Sequence, residues 1–269
     1  MVRDLLRNAA EKFSGSESPM LDARVLLAAA MKKSDAALIF EYPKEEELAL
    51  FNEYIKKRAE GIPVAYILGQ KEFMGLTFCL NSDTLIPRPD TECLVEKIIE
   101  KSLFSSPKIL DLCTGSGCIG ISLAHFIKGS SCDLTDISEN ALEMAEENSA
   151  LNGVSDRTNV FPLDVLSDKI PKGYDIIVSN PPYIESDVVK TLEVSRFEPK
   201  RALDGGYDGL DFYKVIAEKA YTALKKGGML ALEIGYNQGE SVKALLKDFS
   251  EVQVYKDYGN NDRVIIAIT

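Results

Sequence analysis

Lys108-Ile-Leu-Asp-Leu-Cys-Thr-Gly-Ser-Gly-Cys-Ile-Gly120 is the stretch that decides the fold. A short apolar run carries Asp111 near its end, breaks into a turn at Gly115 and Gly117, and passes into an apolar helix over residues 119–127. Glycine belongs where a backbone turns tightly or approaches a ligand with no Cβ between them. Strand, glycine turn and helix in that order open a parallel α/β unit, and two more units follow at once. Residues 131–136 read as a second strand ending in Asp136, followed by a helix over 139–151 with Ser138 as its cap. A third strand near residues 159–163 precedes Asp164. Three acids therefore stand at successive strand ends, on the side where open α/β sheets bind ligands.

The fourth strand, Tyr174-Asp-Ile-Ile-Val178, runs into Ser179-Asn180-Pro181-Pro182-Tyr183. Two prolines after a β-branched apolar run stop a buried strand abruptly. Taken alone, an Asn-Pro pair marks a turn. At the ligand-binding edge of a sheet it reads differently. The Asn180 amide both accepts and donates hydrogen bonds, and carbonyls and an aromatic ring follow it. That set suits the holding of a planar, weakly nucleophilic nitrogen, either an amide or the exocyclic amine of a base. Asn180, Pro181, Pro182 and Tyr183 are the candidate catalytic and substrate-binding residues.

Gly115-Ser-Gly117-Cys-Ile-Gly120 also fits the dinucleotide pattern, with Asp136 on a ribose, so a nicotinamide dehydrogenase competes. Asp111 weighs against it, because an acid there would repel a pyrophosphate. S-adenosylmethionine has no phosphate and carries a sulfonium and an ammonium group, which acids favour. The candidate cofactor-binding positions are Asp111, Cys113, Thr114, Gly115, Ser116 and Gly117, with Asp136, Ile137, Asp164, Val165 and Asn180. Asp136 is expected to accept from the ribose hydroxyls and Asp164 from the adenine amine, with Val165 against the ring. Asp111 is expected to organise the loop or face the ammonium group.

Composition narrows the class. The chain has 269 residues, enough for one large domain and a small one. Its net charge is −11, of which residues 1–90 carry −2 and the remainder −9. An acidic catalytic region opposes long-range attraction to nucleic-acid phosphates. No apolar stretch approaches a membrane span and the N-terminus lacks a signal-peptide core, so a cytoplasmic location is expected. The five cysteines form no metal-ligand spacing and read as reduced core thiols. His125, the single histidine, reads as a helix residue; no metal site is expected.

Before residue 70 the pattern is helical, with helices expected over residues 2–13, 19–33 and 44–60 and a further one after Ser34. Leu26, Leu27, Leu38, Phe51 and Ile55 fit the buried faces of a small bundle. Lys56-Lys57-Arg58 reads as a solvated helix end favoured by the helix dipole. Residues 72–86 read as a β-hairpin with turns at Gly75 and at Asn81-Ser82-Asp83. After Tyr183 come a helix over 210–225, a strand over 228–234 and a helix over 238–249. Two final strands, 252–255 and 264–268, are joined too briefly to be parallel.

Glu72-Phe-Met-Gly-Leu76, Leu85-Ile-Pro-Arg-Pro-Asp-Thr-Glu92, the glycine turn and Asn180-Pro-Pro-Tyr183 together form a recognisable set. Phe197-Glu-Pro199, Ala202-Leu-Asp-Gly-Gly-Tyr-Asp-Gly-Leu210, Leu232-Glu-Ile-Gly235 and Asp257-Tyr-Gly259 with Arg263 extend it. The chain resembles the HemK/PrmC-type peptide chain release factor N(5)-glutamine methyltransferases over nearly its whole length. Cys113 departs from the family's usual glycine, and Val165 stands where an aromatic residue often packs on adenine. The resemblance implies a class I methyltransferase fold: a doubly wound, seven-stranded, mostly parallel, Rossmann-like α/β sheet with its last strand antiparallel. It implies a docking bundle over 1–70, a β-hairpin linker over 71–88 and an S-adenosylmethionine-dependent domain over 89–269. The implied substrate is the glutamine of the Gly-Gly-Gln motif in class I peptide chain release factors, and a monomer is expected. DNA adenine-N(6) and rRNA guanine-N(2) methyltransferases use the same Asn-Pro-Pro-Tyr turn and compete as an enzyme class. A non-catalytic cofactor-binding protein is the remaining alternative. Arg88, Glu92 and Glu198 are open between the site and plain salt bridging or capping.

Overall fold

The computed structural model describes residues 2–269, which divide into two compact units after Gln70. The first unit is helical. It holds α1 (Val2–Ala10), α2 (Pro19–Met31), a 3₁₀ turn (Asp35–Ile39), α3 (Glu45–Ala59) and α4 (Val64–Leu68). Pro19 opens α2 at its first turn, where the missing N–H costs nothing, and Lys32 closes it in the left-handed region. Leu26, Leu27 and Phe51 are wholly buried in the shared core. Arg58, in the last turn of α3, reaches back to Asp22 of α2 at 2.8 Å. It is thus half of a largely buried ion pair, whereas Lys56 and Lys57 are exposed as expected.

The second unit opens with a hairpin of β1 (Gln70–Phe73) and β2 (Leu76–Cys79). Met74 and Gly75 turn it with φ of +53° and +72°, the positive pair that a two-residue hairpin loop demands. Phe73 and Phe78 are buried in the same core as the helices of this unit, so the hairpin is packed structure. Next come α5 (Pro89–Lys101), β3 (Lys108–Leu112), α6 (Cys118–Phe126), β4 (Ser131–Asp136), α7 (Glu139–Leu151) and β5 (Thr158–Pro162). They are followed by β6 (Tyr174–Ser179), α8 (Ser186–Val189), α9 (Asp211–Ala223), β7 (Leu224–Glu233), α10 (Gly239–Leu245), β8 (Glu251–Lys256) and β9 (Asp262–Ile268).

Seven strands form one sheet in the order β5-β4-β3-β6-β7-β9-β8. The first five are parallel, and β9 runs antiparallel between β7 and β8. One face is covered by a core containing Leu94 and Ile98 of α5 and Ile121 and Leu123 of α6. The other carries Tyr213 and Ile216 of α9 with Val242 and Leu246 at α10. This is the doubly wound, mostly parallel α/β arrangement that the sequence led us to expect.

Several details differ. Helix α5 fills the segment before the sheet; Pro89 at its start and the apolar spacing of Leu94, Val95 and Ile98 are the signals that mark it. The element after Ser34 is 3₁₀, and α1 stops at Ala10. Ser138 occupies the cap position of α7 without a side-chain cap bond; instead its N–H donates to Asp136 Oδ1 at 3.0 Å. Strand β7 begins at Leu224, four residues upstream of Gly228, where it was expected to start. Helix α10 ends at Leu245, short of Phe249. Among the described residues no helix is long and apolar enough to cross a membrane.

Candidate active site

The ends of β3, β4, β5 and β6 open onto one cavity of about 250 Å³. Cys113, Thr114, Gly115 and Ser116 line it from the glycine turn, and Asp136 with Ile137 from the end of β4. Asp164 and Val165 line it after β5, and Asn180 with Pro182 after β6. Asp111, Gly117, Pro181 and Tyr183 are not lining residues. Asp111 lies beneath the turn, and Gly117 ends it as the cap residue of α6. The Tyr183 phenol points away to Glu233 Oε1 at 3.5 Å and packs with the α9 core. Burial and Glu233 push that phenol up to about 12, so it remains a donor.

Asp111 is wholly buried and builds the turn. Its Oδ2 accepts from Thr114 Oγ1 at 2.6 Å and from Gly120 N at 2.9 Å, while Oδ1 has no partner among the described residues. Burial pushes the carboxyl up to about 7, opposed by those two donors. Gly120 is required by close approach. A Cβ there would overlap Leu134 Cδ2 and lie 2.9 Å from Cys132 Sγ and 3.0 Å from Asp111 Oδ2. Gly115 and Gly117 adopt φ of +55° and +81°, and Cys113 shares that left-handed region at +58°. A side chain is strained there by roughly 1 kcal/mol, which gives the family's usual glycine at this position a physical reason.

Asp136 Oδ2 accepts from Gly115 N at 3.0 Å and Oδ1 from Ser138 N at 3.0 Å. Burial raises its carboxyl, opposed by the Ser138, Gly115 and Ile137 N–H groups and by Arg201. Asp164 Oδ1 accepts from Leu166 N and Oδ2 from Ser167 Oγ, each at 2.9 Å. Each carboxylate oxygen retains a second lone pair for a ligand donor. From α9, Lys219 Nζ pins the loop after Asp164 by donating to the carbonyls of Val165, Leu166 and Asp168.

Asn180 Nδ2 donates to Thr91 Oγ1 at 3.4 Å, and among the described residues no donor reaches its Oδ1. Arg88 lines the cavity and pairs with buried Glu198, whose Oε2 also faces the Ile86 N–H at 3.4 Å. Glu198 therefore ties the segment before α5 to the loop after α8. Glu92 lies elsewhere: its carboxylate accepts the Met74 N–H at 2.6 Å and steadies the hairpin turn. Ile86, Thr91, Arg201 and Phe212 line the cavity without having been singled out. Ile86 and Thr91 lie in the Ile-Pro-Arg-Pro-Asp-Thr-Glu segment, which is the signal that points to them. Among the described residues no group of three or more His, Cys, Asp or Glu is placed to hold a metal ion.

The family model for the methyltransferase small domain matches residues 89–200, and that for the PrmC N-terminal domain matches residues 4–69. A release factor glutamine methyltransferase of Clostridium acetobutylicum is 39% identical over 267 residues, covering 96% of this chain and 94% of that one. The chain belongs to the release factor glutamine methyltransferase family. Another member, from Moorella thermoacetica, is 39% identical over 99% of this chain and 98% of its own. Among solved structures, a methyltransferase from Pyrococcus furiosus superimposes with a TM-score of 0.53 at 19% identity, covering 72% of this chain and 89% of that one. That likeness bears on the fold alone and agrees with the class I methyltransferase sheet. Within the family, the scattered motif segments of this chain meet at Arg263, which contacts Asp90 and Asp257 at 3.2 Å each and the Ile234 carbonyl at 3.3 Å.

Proposed function

We propose that this chain methylates the side-chain amide nitrogen of the glutamine in the Gly-Gly-Gln motif of class I peptide chain release factors. The methyl donor is S-adenosylmethionine and its product S-adenosylhomocysteine. The observation that carries this reading is the single cavity that joins the acid-lined glycine turn to the Asn180 corner.

The donor set fits that cofactor. Asp136 and Asp164 offer acceptors, and Ile137, Leu163, Val165 and Phe212 offer apolar walls. When bound, S-adenosylmethionine supplies an electrophilic methyl group on a sulfonium. Asp136 accepts from ribose hydroxyls and Asp164 from the adenine amine. Val165, buried beside Asp164, gives the ring an aliphatic wall in place of an aromatic one.

A glutamine amide nitrogen is a poor nucleophile because its lone pair is delocalised into the carbonyl. Asn180 Oδ1, which lines the cavity, accepts one of its hydrogens and aims the nitrogen along one line. Fixed orientation in a water-poor pocket is worth effective molarities of about 10⁵ M or more in intramolecular models. Carbonyl acceptors also stabilise the positive charge that grows on nitrogen. The alkylated amide is acidic and releases its proton readily, so no strong base is needed and His125, exposed on α6, has no part. The helical unit over residues 1–70 docks the release factor. The protein acts in the cytoplasm as a monomer, with no nucleic-acid substrate.

The test is transfer of a labelled methyl group to purified release factor, to a release factor with the motif glutamine changed to alanine, to rRNA and to DNA. Label is expected on the intact release factor alone. Asn180→Ala should abolish transfer and leave cofactor affinity within about threefold, since it removes an acceptor needed mainly at the transition state. Label on nucleic acid without label on release factor would refute the substrate; full activity of Asn180→Ala would refute the orientation mechanism.

A further inference from the structure

Behind the Asn180 corner lies a buried acid that the mechanism above does not use. Glu233 ends β7, next to the end of β6, and is 2% exposed. Its main-chain carbonyl accepts from Tyr213 Oη at 2.8 Å, and its Oε1 faces Tyr183 Oη at 3.5 Å. Among the described residues its Oε2 has no hydrogen-bond partner, although a buried carboxyl is expected to be satisfied. Beside it stands the Thr91 hydroxyl, itself 2% exposed, which already accepts from Asn180 Nδ2 and lies near the carboxyl without a hydrogen bond to it in this conformation.

We propose that Glu233, acting through the Thr91 hydroxyl, fixes which end of the Asn180 carboxamide faces the cavity. The argument is one of proton counting. A hydroxyl has one proton to give and two lone pairs. With Glu233 ionised, that proton goes to the carboxylate, and Thr91 Oγ1 can then only accept from its other neighbour. Asn180 must present Nδ2 to Thr91, which turns Oδ1 to the cavity as an acceptor for the substrate amide. With Glu233 protonated, the acid donates to Thr91 Oγ1, and the threonine proton is released to bond Asn180 Oδ1. The carboxamide then turns its NH₂ toward the substrate NH₂, and two donors oppose each other. Thr91 and Glu233 are thus positioning residues for Asn180. A neutral side chain of the same size would pack as well at residue 233 but would not dictate the order of donors.

The surroundings suit a group that titrates near neutrality. Burial pushes Glu233 up to about 7, opposed by the Thr91 hydroxyl, the Arg263 guanidinium and the Tyr183 phenol and reinforced by Asp90. Tyr213 and Cys118 are the other titratable groups facing it; burial holds the thiol at about 12 and raises the phenol well above its ordinary value. Glu233 is therefore the group in this shell whose charge changes in the working range. Arg263, fixed by Asp90 and Asp257, keeps the ionised form accessible.

This inference rests on the reading of Asn180 as the amide acceptor, and the experiment separates the two. Single-turnover methylation of release factor by the full chain is followed from about pH 6 to 9, with the dissociation constant for S-adenosylhomocysteine measured alongside. The wild-type rate should fall as pH drops below about 7, toward tenfold per pH unit. Glu233→Gln should lack that acid limb. Thr91→Val should be slower by about tenfold or more, Thr91→Ser should return to within about threefold, and product affinity should stay within about twofold in all three. Asp111 titrates in the same range, so the Glu233→Gln profile is what assigns the limb. An acid limb that persists in Glu233→Gln, or a Thr91→Val chain at the wild-type rate, overturns the proposal. If Thr91→Val fails to fold, Thr91→Ser and the Glu233→Gln profile still decide it. An active Asn180→Ala chain would instead show that the corner itself was misread.

Discussion

Asp111→Asn is expected to stabilise the second unit, and to do so more as pH rises. Burial lifts the Asp111 carboxyl from 3.8 to about 7. Between those values the folded chain holds a proton that the unfolded chain has released. The wild type therefore has its full stability below the lower value and loses it as pH rises through the upper one. A rise of about three units corresponds to about 4 kcal/mol at pH 8, of which about 3 kcal/mol accrues between pH 5 and pH 8. Asparagine keeps the acceptor for Thr114 Oγ1 and Gly120 N, places NH₂ where Oδ1 had no partner, and does not ionise. Its unpaired amide hydrogens cost about 1–3 kcal/mol at every pH, so the variant gains little at pH 5 and gains clearly at pH 8. For a unit of this size 1 kcal/mol moves the melting temperature by about 2–4 °C, so the difference between variant and wild type should widen by about 6–12 °C from pH 5 to pH 8. Scanning calorimetry of the ligand-free proteins at several pH values measures it. A difference that stays constant within about 2 °C would refute the argument, because it would mean that Asp111 ionises in the folded protein as readily as in water.

Two further outcomes follow from packing. Gly120→Ala forces α6 off the sheet and strains the N–H bond to Asp111, and should cost about 1–3 kcal/mol despite the better helix propensity of alanine; urea unfolding at wild-type stability would contradict it. Asn148, wholly buried on α7, accepts from Cys79 N at 2.7 Å and donates to the carbonyls of Cys79 and Ser116 at 3.0 and 2.8 Å. Asn148→Ala leaves those groups unpaired and should cost about 2–4 kcal/mol, with faster amide exchange at Cys79; unchanged protection of that amide would show that the hairpin needs no such anchor.

The parallel sheet was legible because its strands are apolar runs with abrupt stops. Tyr174–Ser179 is closed by Asn180 and two prolines, and Ser131–Asp136 by an acid before a helix. The acids at strand ends follow from the same pattern, and Asp136, Asp164 and Asn180 do line one cavity. What the chain hid are contacts made across it. Thr91 meets Asn180 over a separation of 89 residues, and Tyr183 meets Glu233 over 50. No local periodicity encodes such a pairing, and a threonine on a helix has a dozen bland readings. Tyr183 shows the same limit from the other side. Its place in the motif made it a substrate-binding candidate, but its body is apolar and its phenol faces an acid, so it packs, half-buried, against the core. Ser138 was read as a cap and does hold the cap position, but its hydroxyl makes no cap bond; the side-chain oxygen that steadies this helix start is Asp136 Oδ1, which accepts the Ser138 N–H.

The insertion of β9 between β7 and β8 orders events during synthesis. Strand β8 leaves the ribosome first, yet it touches the sheet only through a neighbour that has not yet been translated. A nascent chain that has reached residue 256 therefore presents β7 as a bare edge beside a loose strand, with Ile265 and Ala267 still missing from one core and Val264 and Ile266 from the other. Completion of residues 262–268 closes both at once, so the far end of the sheet assembles in a single late step.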